Sequence, residues 1–362
     1  MKKINTFAVT GYPVAHSKSP LIFNTLFSSM DIPAYYSRLS AKSGEEASDM
    51  FRQLGLAGMN ITSPLKNEML LLSEEQDEPS DIIGGVNTLV NVNGTLKGYN
   101  TDHSGISETF IDEEIDVSGK KCLVLGAGSA GRAAVYALTQ LGGQVTIMNR
   151  TFKKAHVLAG DMDCEVVVFE KLQSEIFECD LLISTITSGS ELIKKGWLKK
   201  DTIVFDALYR SSTLAETASS AGCRVLRGEK WLLNQAIPAF KIFTGEDVNK
   251  KEKDKLSGIL DKTDPDISEL VLMGKRGSNG DIKNKLEESF KNEQIKIITD
   301  PDEIETKGEK HKLKKIPLRI LIYSGSIKEE RELFPFSDLV IWGKGGIDDT
   351  AERIIREIEY VL

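Results

Sequence analysis

Between Lys121 and Met148 the chain spells out a unit that few folds can accommodate. Lys121–Leu125 is a short apolar run, and Gly126-Ala127-Gly128-Ser129-Ala130-Gly131 follows at once. A helical pattern continues to Leu141, and Gln144–Met148 is again apolar and β-prone. Strand, glycine turn, helix and strand within about 30 residues make a βαβ crossover, which sets two parallel strands side by side. The G-x-G-x-x-G spacing allows a tight turn and lets backbone N–H groups reach a pyrophosphate, aided by the dipole at the helix N-terminus. A site for NAD usually places a carboxylate about 20 residues further on, to hold the ribose 2′-hydroxyl. Here the second strand ends in Asn149-Arg150-Thr151, with Lys153 and Lys154 close behind and no carboxylate. A guanidinium suits a 2′-phosphate instead, so the predicted cofactor is NADP. The plain alternative for Arg150 is a surface arginine at a strand end.

The rest of the composition narrows the class. At 362 residues the chain is long enough for two or three domains. Hydrophobic residues at 40% and charged residues at 28% can build a core. A net charge of −8 disfavours nucleic acid or an anionic membrane as the main partner. No run approaches the roughly 20 apolar residues needed to cross a bilayer. The opening MKKINTFAVTGYPVAHSKSP is broken at Thr10, Gly11 and Pro13, and reads as strand and turn, not as a signal peptide. Cysteines at 122, 164, 179 and 223 form no CxxC pair, and the histidines at 16, 103, 156 and 311 are scattered. The expectation is free thiols, no metal site and a cytoplasmic location.

Before residue 105 the chain alternates strand-like and helical stretches. Strands are predicted at Thr6–Val9, Ala34–Leu39 and Gly58–Thr62, with helices at Pro20–Phe27 (Ser19 as N-cap) and Glu45–Leu54. After the βαβ unit come strands at Leu181–Ser184, Thr202–Phe205 and Arg224–Leu226, a helix at Trp231–Phe243 and a charged helix or linker at Lys250–Asp261. Beyond Asp264-Pro265 a further α/β stretch is predicted. Its strands are Glu269–Met273, Ile295–Ile298, Leu318–Tyr323 and Leu339–Trp342, and its helices Ile282–Lys291 and Ala351–Val361.

Four polar clusters follow the strands of the first hundred residues: His16-Ser17-Lys18-Ser19-Pro20, Asn60-Ile61-Thr62-Ser63-Pro64-Leu65-Lys66, Gly85-Val86-Asn87-Thr88 and Asn100-Thr101-Asp102. In open α/β sheets ligands bind at the carboxyl ends of strands. Hydroxyls, amides, a lysine and a carboxylate gathered there suit a small polyhydroxylated carboxylate. Each also has a local reading: Ser19 as a helix cap, Asn87 as a turn residue, Asp102 as an Asx-turn former.

In order and wording, HSKSP, NITSPLK, GGVNT, GYNTD, GAGSAGR, NRT and GEKWLLNQA resemble the shikimate dehydrogenases, over about residues 7–245. The resemblance implies an α/β chain with an open-sheet substrate-binding domain (1–104, completed by 235–262) and a Rossmann NADP-binding domain (105–234). It implies reversible, NADPH-dependent reduction of 3-dehydroshikimate to shikimate. Matched residue by residue, Ser17 and Ser19 would hold the substrate carboxylate, and Thr62, Asn87 and Gln235 the ring hydroxyls. Tyr209 would lie against the ring, and Lys66 and Asp102 would form the catalytic pair. Gly126, Ala127, Gly128, Ser129 and Ala130 would cradle the pyrophosphate, and Asn149, Arg150 and Thr151 the 2′-phosphate. Gly228 would approach the nicotinamide. The sequence departs from the family at Ser184-Thr185-Ile186-Thr187-Ser188-Gly189, at Trp231, where methionine is common, and at Ala207, in place of a larger residue. Serines at both 17 and 19 favour shikimate over quinate. A quinate or aminoshikimate dehydrogenase, or a non-catalytic shikimate- or nucleotide-binding scaffold, are the alternatives.

Residues 263–362 exceed what this activity needs. Glu269–Gly277 resembles the opening of a shikimate kinase, but Gly280 and Asp281 stand where a P-loop requires lysine and a hydroxyl. A small α/β domain is expected, either a truncated, inactive kinase relative or an unrelated module. Stabilising the enzyme, homodimerisation or binding of a pathway enzyme are the roles open to it.

Overall fold

The computed structural model describes residues 4–186, 193–208, 212–260, 267–273, 279–290, 296–298, 316–323, 338–342 and 346–360. The chain begins with β1 (Asn5–Gly11), α1 (Ser19–Ser29), β2 (Ala34–Ser40), α2 (Gly44–Leu54), β3 (Gly58–Ile61) and α3 (Lys66–Leu72). Then come β4 (Glu75–Gln76), α4 (Glu78–Ile83), β5 (Thr88–Val92), β6 (Thr95–Tyr99) and α5 (Asp102–Asp112). The middle holds β7 (Lys121–Leu125), α6 (Ser129–Gln140), β8 (Gln144–Met148), α7 (Phe152–Met162), β9 (Glu165–Val166) and α8 (Leu172–Glu178). It continues through β10 (Leu181–Ser184), β11 (Ile203–Asp206), α9 (Thr213–Ala221), β12 (Arg224–Arg227), α10 (Gly228–Thr244) and α11 (Lys250–Leu260). The last stretch has β13 (Ile267–Met273), α12 (Asn279–Ser289), β14 (Lys296–Ile298), β15 (Ile316–Tyr323), β16 (Leu339–Trp342) and α13 (Gly346–Glu359). No helix among the described residues is long and apolar enough to cross a membrane.

Two compact units divide these elements: residues 1–74, 88–97 and 262–362 in one, and 75–87 and 98–261 in the other. In the first, the strands lie in the order β14-β13-β15-β16-β2-β1-β3-β5-β6. Pairing is parallel from β14 to β3, and β5 then runs antiparallel to β3. The β5–β6 connection turns through Asn93 and Gly94, both at positive φ, as a two-residue hairpin requires.

The C-terminal strands extend this same sheet. Leu339, Val340 and Ile341 of β16 pair with Arg38, Leu39 and Ser40 of β2. Over them lies α13, whose Ala351, Ile354 and Ile358 recur at helical spacing and are buried. The opposite rows of α13 are charged. Arg353 pairs with Glu46 of α2 and with Asp349, and Lys42 reaches Asp349 at 2.7 Å.

The second unit is a six-stranded, all-parallel sheet in the order β12-β11-β10-β7-β8-β9. Numbered from β7, that is the 6-5-4-1-2-3 order of a doubly wound dinucleotide fold, with the reversal between β7 and β10. Both faces are covered. Cys122 and Val124 pack with Ala133, Ala134 and Leu138 of α6, while Leu123 and Leu125 pack with Leu182, Val204 and Leu214. A central strand buried on both sides reads as a continuous apolar run, as KCLVL does.

That burial silences the thiols. Cys122 and Cys179 are 2% and 3% exposed, and burial pushes both thiols up to about 12; Cys164 is pushed up to about 11. At pH 8 an aromatic disulfide reagent is therefore expected to label Cys122 and Cys179 at least about 100-fold more slowly in the native protein than after unfolding. Equal rates, followed by peptide mapping, would contradict this packing.

Candidate active site

In the first unit, β1, β2 and β3 are parallel, so the segments after Gly11, Ser40 and Ile61 leave from one edge of the sheet. Thr62 follows β3 directly, its backbone N–H donating to the Thr10 carbonyl at 2.8 Å. Lys66 is the first residue of α3, and both Thr62 and Lys66 are half-buried. Ser17 and Ser19 are buried at the start of α1, their hydroxyls 3.2 Å apart, and the Ser19 N–H donates to Ser17 Oγ at 3.3 Å. The N-cap of α1 is Lys18, not Ser19, and no side chain caps the helix. Ser19 therefore faces Ser17 instead of serving its own helix. Arg38 supports the pair from β2, donating Nε and Nη2 to the Ser17 carbonyl at 3.1 and 2.7 Å. Below them Tyr36 donates its hydroxyl to Asn60 Oδ1 at 2.7 Å, and Asn60 Nδ2 donates to Thr88 Oγ1 at 3.0 Å. Burial raises the Tyr36 phenol well above its ordinary value, which keeps it a neutral donor.

In the second unit, Asn87, Thr101, Asp102 and Gln235 form one cluster. Asn87 Nδ2 donates to Asp102 Oδ1 at 2.9 Å and to Thr101 Oγ1 at 3.0 Å, while Asn87 Oδ1 accepts the Thr101 backbone N–H at 2.8 Å. The Gln235 carbonyl lies 3.4 Å from Asn87 Nδ2 and accepts from Thr101 Oγ1 at 3.3 Å. Asn100 shapes the turn into α5: its Oδ1 accepts the Asp102 N–H at 3.0 Å and its Nδ2 donates to the Gly85 carbonyl at 2.7 Å. Asp102 is only 7% exposed. Its local Asx reading fails, because its side chain is engaged by Asn87 and the turn is built by Asn100.

Gly228, Trp231 and Gln235 recur along one row of α10. The Trp231 indole donates to the Asp102 carbonyl at 2.9 Å and packs near Phe205, with Ala207 against the same core. Trp231 thus anchors the first turn of α5. Four members of these networks lie inside the motifs without a role assigned from the sequence: Asn60, Thr88, Asn100 and Thr101. Their amides and hydroxyls in the motifs that hold Lys66, Asn87 and Asp102 are the signal. Tyr209 lies outside the described residues, as do Thr187, Ser188 and Gly189 of the loop after β10.

The glycine turn closes as its spacing predicts. A Cβ on Gly131 would fall 1.9 Å from the Gly126 carbonyl oxygen, so no other residue lets α6 start this close to β7. A Cβ on Gly128 would meet nothing within 4 Å, which leaves its backbone approachable by a ligand. Ser129 is the first residue of α6, and Gly128 gives it no side-chain cap. Asn149 joins the turn to the end of β8, its Oδ1 accepting the Ala127 N–H at 3.2 Å and its Nδ2 donating to the Thr151 carbonyl at 3.0 Å. Arg150, Thr151, Lys153 and Lys154 are all exposed at the start of α7. A cradle of backbone N–H groups beside three exposed cations fits a phosphorylated dinucleotide.

Residues 9–89 match the family model described as the shikimate dehydrogenase substrate binding domain, and residues 109–206 match the shikimate / quinate 5-dehydrogenase model. A shikimate dehydrogenase (NADP(+)) of Methanococcoides burtonii is 35% identical over 257 residues, covering 68% of this chain and 94% of its own. The chain belongs to the shikimate dehydrogenase family. An Aquifex aeolicus shikimate dehydrogenase (NADP(+)) is 34% identical over 249 residues, covering 67% of this chain and 92% of its own. The crystal structure of shikimate dehydrogenase from that organism superposes with a TM-score of 0.67 at 33% identity, covering 71% of this chain and 98% of that one. A Thermus thermophilus shikimate 5-dehydrogenase in complex with NADP(H) and shikimate gives 0.65 at 29%, covering 71% and 99%.

Within this family member, the packing of α5 on α10 fixes the cluster. A Cβ on Gly105 would fall 2.7 Å from the Trp231 ring, 2.8 Å from Gln235 Cβ and 2.9 Å from the Gln235 backbone nitrogen. Gly105→Ala must push the helices apart, at a cost of about 1–3 kcal/mol. Its expected outcome is a lowered melting temperature together with weakened substrate binding, read by calorimetry and by KM. A variant as stable and as active as the wild type would show that this contact does not position Gln235.

Proposed function

We propose that the protein catalyses the reversible NADPH-dependent reduction of 3-dehydroshikimate to shikimate. The buried Asn87–Thr101–Asp102–Gln235 cluster carries the reading, because it presents a carboxylate and amides already oriented by one another. NADP when bound supplies the hydride acceptor or donor at the ring carbon. Everything else falls to side chains of this chain. Oxidation of a ring alcohol releases a proton from oxygen, and Lys66 is the group to accept it, returning it when the ketone is reduced. Asp102, whose Oδ1 accepts from Asn87, is the group to orient the reacting hydroxyl. Thr62, Asn87 and Gln235 hold the ring hydroxyls, Ser17 and Ser19 the carboxylate, and Tyr209 the face of the ring. Gly126 to Ala130 take the pyrophosphate, Asn149, Arg150 and Thr151 the 2′-phosphate, and Gly228 the nicotinamide. Residues 1–104 with 235–262 serve the substrate, and 105–234 the cofactor.

NADPH formation from shikimate and NADP+ tests the activity. The wild type is expected to turn over, and Lys66→Ala to lose about 10²–10⁴ in kcat with NADP+ binding unchanged. No wild-type turnover removes the proposal, and an unimpaired mutant removes the role of Lys66. Arg150→Ala is expected to raise KM for NADP+ about tenfold or more, through loss of a charge-assisted hydrogen bond, with KM for NAD+ little affected. An unchanged preference for NADP+ would show that Arg150 is not its source.

A further inference from the structure

The residues beyond 263 reach the same sheet edge that carries Ser17 and Ser19, through a buried carboxylate. Glu357, near the end of α13, is completely buried. Its Oε2 accepts the backbone N–H groups of Val14 and Ala15 at 2.6 and 2.8 Å, and its Oε1 accepts the Ser40 hydroxyl at 2.6 Å. Two successive backbone N–H groups converging on one carboxylate oxygen fix the dihedral angles between them, as in an anion-binding nest. The order is passed on. The Val14 carbonyl accepts the Ser17 N–H at 3.0 Å, and Ser17 Oγ accepts the Ser19 N–H.

A second link runs through Arg38. The guanidinium that donates twice to the Ser17 carbonyl also donates Nη1 to the Asp338 carbonyl at 3.2 Å, just ahead of β16. The ring of His16 lies 4.6 Å from that of Tyr360. The loop between β1 and α1 is thus held at 14 and 15 by Glu357, meets Tyr360 at 16, and is held at 17 by Arg38, which Asp338 engages in turn. The Arg353–Glu46 salt bridge between α13 and α2, by contrast, includes no residue of this loop.

We infer that Glu357 is a positioning residue for the substrate-binding loop, so that the C-terminal segment is a working part of the substrate site. The inference rests on the proposed role of Ser17 and Ser19 toward a substrate carboxylate. A chain segment remote in sequence holds the serine hydroxyls in the spacing that a planar carboxylate needs, and tunes affinity for the substrate without touching it.

The test uses the full-length protein with Glu357→Ala, Glu357→Gln and, as a control at the same helix, Arg353→Ala. Two readouts are taken well below each melting temperature: amide hydrogen exchange over residues 12–19, and KM for shikimate against KM for NADP+. Glu357→Ala is expected to exchange faster at 12–19 and to raise KM for shikimate about tenfold or more, with KM for NADP+ within about twofold. Glu357→Gln, which keeps the volume and one acceptor, should lie between it and the wild type; it is read in place of Glu357→Ala if that variant does not fold. Arg353→Ala should lose stability without either change. Unchanged exchange at 12–19 overturns the inference, as does faster exchange with an unchanged KM for shikimate. If the wild type does not oxidise shikimate, the proposed activity falls, and exchange at 12–19 alone decides whether Glu357 orders the loop.

Discussion

Asn87 uses both ends of its amide. The oxygen takes the backbone N–H of Thr101 and the nitrogen gives to the Asp102 carboxylate, which sets the first turn of α5 and the direction in which that carboxylate points. Burying a carboxylate at a helix start is tolerable only with such partners: an unpaired buried charge shifts its pKa or unfolds its surroundings. The helix contributes, since Asp102 is its first residue and sits at the positive end of its dipole. Asn100 closes the turn from below, and the Trp231 indole holds the Asp102 carbonyl from α10. The cluster is therefore ordered by its own hydrogen bonds, which sets this carboxylate apart from a surface acid.

The first unit applies the same logic with different parts. Ser17 sits on the loop that leads into α1, and loops are mobile unless something outside them supplies hydrogen bonds. Arg38 supplies two, and the Glu357 carboxylate two more. One of these comes from the middle of the sheet and the other from the far C-terminus. Among the described residues beyond 263, β16 adds to the edge of β2, and α13 covers the join.

What the sequence made legible follows from where the information lies. Lys121–Leu125, Gln144–Met148, Leu181–Ser184 and Leu339–Trp342 have the predicted boundaries because a strand buried on both faces is an apolar run with polar ends. The 126–131 turn was legible because three glycines serve three local steric demands. The β5–β6 hairpin went unread although Asn93-Gly94 marks it, since its strands mix exposed and buried positions. The helix beginning at Asp102 went unread, because its start is set by a network of side chains from elsewhere and not by a local signal. Pairing of β16 with β2 joins residues about 300 apart, and no local pattern encodes a register at that separation. Glu357 was invisible for the same reason: in sequence it is one acid in a charged helix, and only the fold reveals its partners.

Substitution of the carboxylate that Asn87 holds tests the central claim most directly. Asp102→Asn keeps the shape and removes the charge. With shikimate and NADP+ supplied to the full-length protein, kcat is expected to fall by about 10²–10³ while NADP+ binding, measured by calorimetry, stays as in the wild type. A variant that oxidises shikimate as fast as the wild type would contradict the account, because the cluster around Asn87 would then be scaffolding and not the active site.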